Sequence, residues 1–109
     1  MYEIELTPLA EGDIQAAVDW WKEHHSPVEA EVWYVGILAA IQSLAQMPMR
    51  CRVVSVSAFD VPVRQLLYGV SSKPTHRVLF AVNEATETVT VYRVLHTSQK
   101  PLDQNDSIH

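Results

Sequence analysis

The chain has 109 residues, a formal charge of −5 and 48% hydrophobic residues, which bounds it to one domain whose single core buries about two thirds of the unfolded surface. Its one cysteine, Cys51, excludes an internal disulfide and a Cys-x-x-Cys zinc staple. The opening MYEIELTP carries glutamates where a secretory signal needs positive charge, and no apolar run is expected to reach the roughly 18 residues of a membrane span, so a cytoplasmic protein without membrane association is expected. Charge is unevenly shared: residues 1–49 hold eight acids and one base, residues 50–109 five acids and seven bases. That division points to nucleic acid or an acidic protein as partner of the basic half, or to ordinary scatter on a solvated surface.

In chain order, YEIEL at residues 2–6 alternates Tyr2, Ile4 and Leu6 with Glu3 and Glu5, which predicts a half-buried strand. Thr7 supplies an N-cap oxygen and Pro8 a first helical residue. The series Ala10, Ile14, Ala17 or Val18, and Trp21 then marks one stripe of a helix to His25. SPVE at 26–29 reads as a capping box opening a second helix, with Ala30, Trp33, Ile37, Leu38, Ile41, Leu44 and Ala45 as its apolar set and Pro48 as its stop. So short a connection predicts an antiparallel helical hairpin. Residues 49–62, MRCRVVSVSAFDVP, read equally as a short strand at Val53, Val54 and Val56 or as a loop. Strands are expected at 63–68, 76–83 and 88–96, separated by GVSSKPT and EATE. Val78, Phe80 and Val82 should share one face, as should Val89, Val91 and Leu95. The order β-α-α-β-β-β predicts an α+β fold, a helical hairpin on one face of a mainly antiparallel sheet. One domain is expected over residues 1–102, with a frayed tail at 103–109.

LTPLAEGDI, SPVEAEVW, IQSLAQMP, VRQLLYG, HRVLFAVN and VYRVLH resemble, in order and spacing, the RelE/ParE superfamily of toxins from type II toxin–antitoxin (plasmid stabilisation) modules, over roughly residues 2–102. The resemblance implies a small toxin silenced by a cognate antitoxin in a hetero-oligomer, without a cofactor. It also implies one of two targets: DNA gyrase, poisoned without nuclease action, or the ribosome and its mRNA, cut by a ribosome-dependent endoribonuclease. An inactive member that only binds an antitoxin-like partner is the third possibility. The positions matching the family's basic site residues are Arg64, Arg77 and His96, and in the nuclease reading Lys73 or Lys100 is a further candidate cation. The family pattern continues from that histidine to an arginine three residues later, where this chain has Gln99 beside Lys100. An amide lacks both the charge and the bidentate fork of a guanidinium. Since RNA cleavage needs a base, an acid and fixed positive charge, Gln99 and the net acidity weigh against the nuclease and favour the gyrase reading.

Residue by residue, His96 reads as a general acid or base or as the side chain that ties the strand end to a loop. Arg77 suits a phosphate or an ion pair, and Arg64 a site or a solvated strand. Tyr68 and Tyr92 read first as cross-strand packing, and alternation puts Arg93 on the side opposite Tyr92. His24 and His25, with Glu23 or Glu29, form a weak metal pattern, because adjacent helical residues diverge by about 100°; no metal is expected. Trp20, Trp21 and Trp33 read as filling between hairpin and sheet, and an exposed one would mark a partner groove. Arg50 and Arg52 are placed to lower the pKa of Cys51, but without a histidine set beside it no nucleophilic role is expected.

Overall fold

The computed structural model describes residues 1–56, 61–71 and 73–98. Thr7 caps helix α1 (Pro8–His24), its side chain accepting from Ala10 N at 3.1 Å, and Ser26 caps α2 (Pro27–Gln42), accepting from Glu29 N at 3.1 Å. Only half of the expected capping box forms, because the Glu29 carboxylate goes to His25 Nδ1, 3.2 Å away. Beyond α2 a 3-10 turn, Ser43–Ala45, carries the apolar stripe on to Leu44 and Ala45. Met47 then turns left-handed, with φ 50°, and Pro48 opens a second 3-10 turn to Arg50.

Five strands match the pattern read from the sequence, with one addition: β1 Glu3–Leu6, β2 Arg52–Val56, β3 Pro62–Tyr68, β4 His76–Asn83 and β5 Thr88–His96. The ambiguous stretch after Cys51 is therefore a strand, and four strands rather than three come after the hairpin. They lie in the order β1-β5-β4-β3-β2, with β1 parallel to β5 and the other pairs antiparallel. The fold is α+β, a helical hairpin on one face of a mainly antiparallel sheet. The β4–β5 turn is organised by Asn83, whose Oδ1 accepts from Ala85 N and Thr86 N at 3.0 and 3.2 Å. The expected tail at 103–109 lies outside the described residues.

The main core lies between hairpin and sheet. Ala10, Ile14, Trp33, Ile37, Ile41 and Leu44 meet Val78 and Phe80 of β4 and Val89 and Val91 of β5. Each large side chain buried there contributes about 1.5–3 kcal/mol. The other sheet face has a smaller cluster of Val63, Leu79 and Leu95 with Val54 and Tyr92. The stretch Pro27–Ala45 has the length and mean hydropathy, 1.2, of a membrane span, contrary to the expectation that no run would. The sheet explains that apolarity on one side only: Trp33, Ile37 and Leu44 are wholly buried against it.

One expectation about β5 fails. Leu79 pairs with Arg93 but Phe80 pairs with Val91, so Tyr92 is an extra residue in the ladder, a β-bulge. The bulge reverses the parity of the remaining strand: Val94 joins the helix-side core, and Leu95 goes to the opposite face from Val89 and Val91. Helix α1 holds the bulge. Asp13 accepts from Arg93 Nε at 2.8 Å, Arg93 Nη2 at 3.0 Å and Val94 N at 2.9 Å, and Thr7 Oγ1 donates to Tyr92 O at 2.8 Å. Arg93 therefore points to α1 while Tyr92 packs on the far face, which keeps the two on opposite sides as alternation predicts.

Gly36 leaves room on α2 for the side chain of Tyr68 from β3. The Tyr68 hydroxyl donates to Trp33 O at 3.2 Å, and a Cβ on Gly36 would fall on that hydroxyl. Gly36→Ala is expected to lower stability by about 1–3 kcal/mol, and Tyr68→Phe in the same chain to recover part of the loss; additive denaturant-unfolding values would disprove the contact. Asp13→Ala, which removes three acceptor contacts at a half-buried ion pair, is expected to cost about 2–4 kcal/mol. Asp13→Asn, retaining an acceptor for Val94 N, is expected to cost less in the same titration.

Candidate functional site

The sheet does not gather Arg64, Arg77 and His96 on one surface. Arg64 lies opposite Phe80, on the side covered by the helices. Its Nη1 donates to the carbonyls of Cys51 and Met49 at 2.6 and 3.2 Å, closing the turn into β2. His96 lies opposite His76, at the other end of β4, roughly 13 Å along that strand from the level of Phe80. Arg77, paired with Leu67 and Leu95, projects from the other face. Its Nη2 reaches Thr97 O at 2.7 Å and its Nη1 lies 3.4 Å from Gln65 Oε1, while its Nε is buried without a hydrogen-bond partner among the described residues. Arg77 and His96 thus share one strand end from opposite faces, and Arg64 is remote from both. Gln99 and Lys100 lie outside the described residues. Lys73 is exposed in the β3–β4 connection.

What the fold builds beside His96 is a cleft of about 520 Å³ between α1 and the ends of β4 and β5. Asp13, Trp20, Trp21 and His25 line its helical wall, and His76, Val94 and His96 its sheet wall. His76 is 8% exposed, wedged between the rings of Trp33 and His96 at centroid distances of 5.0 and 5.3 Å, with Thr75 Oγ1 2.9 Å from its Nδ1. Burial, and secondarily the His96 charge, lower its pKa to about 4, so the ring is neutral at pH 7. Ser98 N donates to His96 Nδ1 at 3.0 Å, and Ser98 Oγ lies 2.7 Å from the same atom. The Nδ1 lone pair is thereby engaged, which leaves the proton of a neutral His96 ring on Nε2.

The cleft carries imidazoles and indoles but little fixed charge. Its carboxylate, Asp13, is engaged by Arg93 and Val94, and its described lining holds neither Arg nor Lys. Such a wall suits an apolar or aromatic group better than a phosphate. Trp33 is wholly buried and Trp21 packs half-buried against the same core, as expected of filling between hairpin and sheet, whereas Trp20 departs from it. Trp20 is 47% exposed, stacks on His24 with centroids 4.6 Å apart, and meets Trp21 edge-on at 5.7 Å. Among the described residues no group of three or more His, Cys, Asp or Glu side chains is placed to hold a metal ion. The Cys51 thiol is buried, and burial raises its pKa against the opposing pull of Arg50 and Arg64, the reverse of the direction its arginine neighbours alone would give.

His76 and the Asp13–bulge clasp, which together make the cleft, were not read as features from the sequence. His76 gave a weak signal: it falls in register with Val78, Phe80 and Val82, so period two alone puts it on the helix-covered face.

The model of the ParE toxin of type II toxin–antitoxin systems, parDE, matches residues 4–101. The chain belongs to that family, and with it to the RelE/ParE superfamily of toxins. No curated protein sequence matches it. Among solved structures it resembles a chain of the chromosomal ParDE toxin–antitoxin system from P. aeruginosa, with 20% identity, TM-score 0.66, and coverage of 88% of this chain and 96% of that one. A chain of the RelBE2 toxin–antitoxin complex from Mycobacterium tuberculosis gives 16% identity and TM-score 0.61, over 87% and 96%. The archaeal RelE–RelB complex from Pyrococcus horikoshii OT3 gives 13% identity and TM-score 0.61, over 91% and 98%. At these identities the likeness is one of fold.

The buried imidazole makes stability pH-dependent. Native His76 takes up its proton near pH 4, whereas an unfolded histidine does so near about 6.5. Between those values the unfolded chain holds more protons, so stability rises with pH. The contribution is complete above about pH 6.5 and is lost as pH falls towards 4, by at most roughly 3 kcal/mol. Thermal unfolding from pH 7 to pH 4 should show this loss, and His76→Gln should flatten the part that His76 causes; an unchanged slope in the variant would refute the assignment.

Proposed function

We infer that this ParE-family toxin works as a stoichiometric binder of a large target, DNA gyrase, and that a cognate antitoxin silences it in the cytoplasm by covering part of its surface. One observation carries the choice over mRNA cleavage. The basic groups that would have to converge on a scissile phosphate are apart, with Arg64 spent on the carbonyls of Cys51 and Met49 and Arg77 on the face opposite His96. Phosphoryl transfer from a 2′-hydroxyl needs a base, an acid and a cation within a few ångströms of one phosphorus. Among the described residues, His96 and His76 offer imidazole without that cation. The family membership and the toxin–antitoxin complexes among the solved relatives support an antitoxin partner. The exposed Trp20, at the mouth of an apolar cleft, is the kind of surface such a partner covers.

Two assays with the purified chain separate the readings. Supercoiling by gyrase should fall in proportion to toxin added and recover when the product of the neighbouring gene is supplied, while mRNA in a translation extract stays intact. Message cut at codon positions, with cutting abolished in Arg77→Ala or His96→Ala, would instead establish the ribosome-dependent endoribonuclease. A chain that leaves both targets and bacterial growth unaffected, yet binds the antitoxin, would be the inactive member.

A further inference from the structure

Helix α2 is apolar on two opposite sides. Trp33, Ile37 and Ile41 face the sheet and are buried, but Val28, Val32 and Val35, at i, i+4 and i+7, are 70%, 53% and 59% exposed. Ala39, one turn further on, is exposed too. The valines form a shallow groove with Glu31 along one margin. A helix on the surface of a soluble domain ordinarily turns charged side chains outward, and one that is apolar all round is covered on all sides. The outward stripe therefore asks for a partner.

The charges at its two ends say which one. Glu31 flanks the stripe near the start of α2. At the far end the Arg50 guanidinium folds back onto the terminus of the hairpin, with Nη2 3.1 Å from Ser43 Oγ and Nη1 2.8 Å from Gln46 O. Among the described residues Arg50 is bound by carbonyls and a hydroxyl, with no carboxylate. Glu31 and the guanidinium at Ser43 stand roughly 18 Å apart along the axis. A complementary surface must present a cation opposite Glu31 and an anion opposite Arg50 at that spacing, with an apolar stripe between. An antiparallel α2 from a second copy meets all of these demands. A two-fold axis at the level of Ile37 sets Glu31 of each chain against Arg50 of the other and Val35 against the small Ala39, and it opposes the two helix dipoles.

We propose that the chain self-associates as a two-fold dimer through the outward face of α2, with reciprocal Glu31–Arg50 pairs closing both ends of a Val32, Val35 and Ala39 seam and Val28 just outside them. One helix face per chain covers less than the about 800 Å² of a standard interface, so the dissociation constant is on the order of 10 µM. The inference is independent of which target the toxin strikes.

The test is the mass of the purified full chain by light scattering between about 1 and 200 µM, a range spanning that constant. The wild type should pass from one chain to two. Val35→Glu, at an exposed position, should weaken association at least about tenfold. Glu31→Arg and Arg50→Glu should each be monomeric alone, because each sets like charges together at both ends. Mixed in equal amounts they should dimerise, since the heterodimer restores an opposite-charge pair at each end, native Arg50 with native Glu31 at one and the two substituted positions with reversed sign at the other. A wild type that stays monomeric throughout, an unaffected Val35→Glu, or two folded charge variants whose mixture does not associate would each overturn the proposal, as would a single chain whose stripe is covered only by a different protein.

Discussion

The carboxylate of Asp13 decides which way the end of the sheet faces. It accepts from Arg93 Nε and Nη2 and from the Val94 amide at the point where β5 carries its extra residue. A bulge leaves backbone groups outside the regular ladder, and a half-buried amide without an acceptor costs roughly 1–3 kcal/mol. A carboxylate accepting charge-assisted bonds removes that penalty while anchoring α1 to β5. Everything beyond the bulge inherits the choice. Val94 closes the core under α1, Leu95 is released to the opposite cluster, and His96 comes to rest against His76. Without the extra residue, unbroken alternation would place His96 on the far face, and the cleft would lose one of its walls.

The same local choice explains what could and could not be read in advance. Helix starts were legible because Thr7–Pro8 and Ser26–Pro27 satisfy orphaned amides with nearby side chains, an interaction confined to a few residues. Strands β3, β4 and β5 were legible from branched and aromatic alternation between turn residues. The bulge was not, because VTVYRVLH alternates equally well in either register after Tyr92, and the residue that selects one, Asp13, is 80 positions away along the chain. Strand β2 was ambiguous because Ser55 and the nearby Pro62 suit loops, and its place at the sheet edge demands little of its sequence. Nor could spacing reveal that Arg64, matched to a functional position by resemblance, would reach inward to the carbonyls before β2.

The charge division of the chain acquires a different meaning once those bonds are seen. The basic surplus of the second half suggested a polyanionic partner, yet its arginines are largely occupied in holding the fold. Arg50 gathers the carbonyls of Ser43, Gln46 and Met47, Arg64 those of Met49 and Cys51, and Arg77 that of Thr97, while Arg93 binds Asp13. A guanidinium is well suited to this, since its fork satisfies several acceptors where the backbone leaves regular structure. A cation fixed in this way keeps its charge but not the freedom to close on a phosphate. Nucleic-acid binding draws on cations set along an open surface, each releasing counterions as it meets a phosphate. These arginines instead lie at the joints between elements.

A toxin that cuts RNA must keep positive charge unspent at one point, whereas a toxin that jams a larger machine needs contact area and a shape it can hold. As a proposed binder of a large target, the molecule draws on three features: an indole-lined cleft, an aliphatic stripe along the outside of α2, and joints secured by guanidinium bonds. These features are compatible because they occupy different sides of the hairpin. The cleft opens beside α1 at the β4 and β5 ends, and the stripe runs along the outward face of α2. Contact on one side therefore leaves the other free, and only a partner spanning both helices would have to displace a second copy from α2 to reach the cleft.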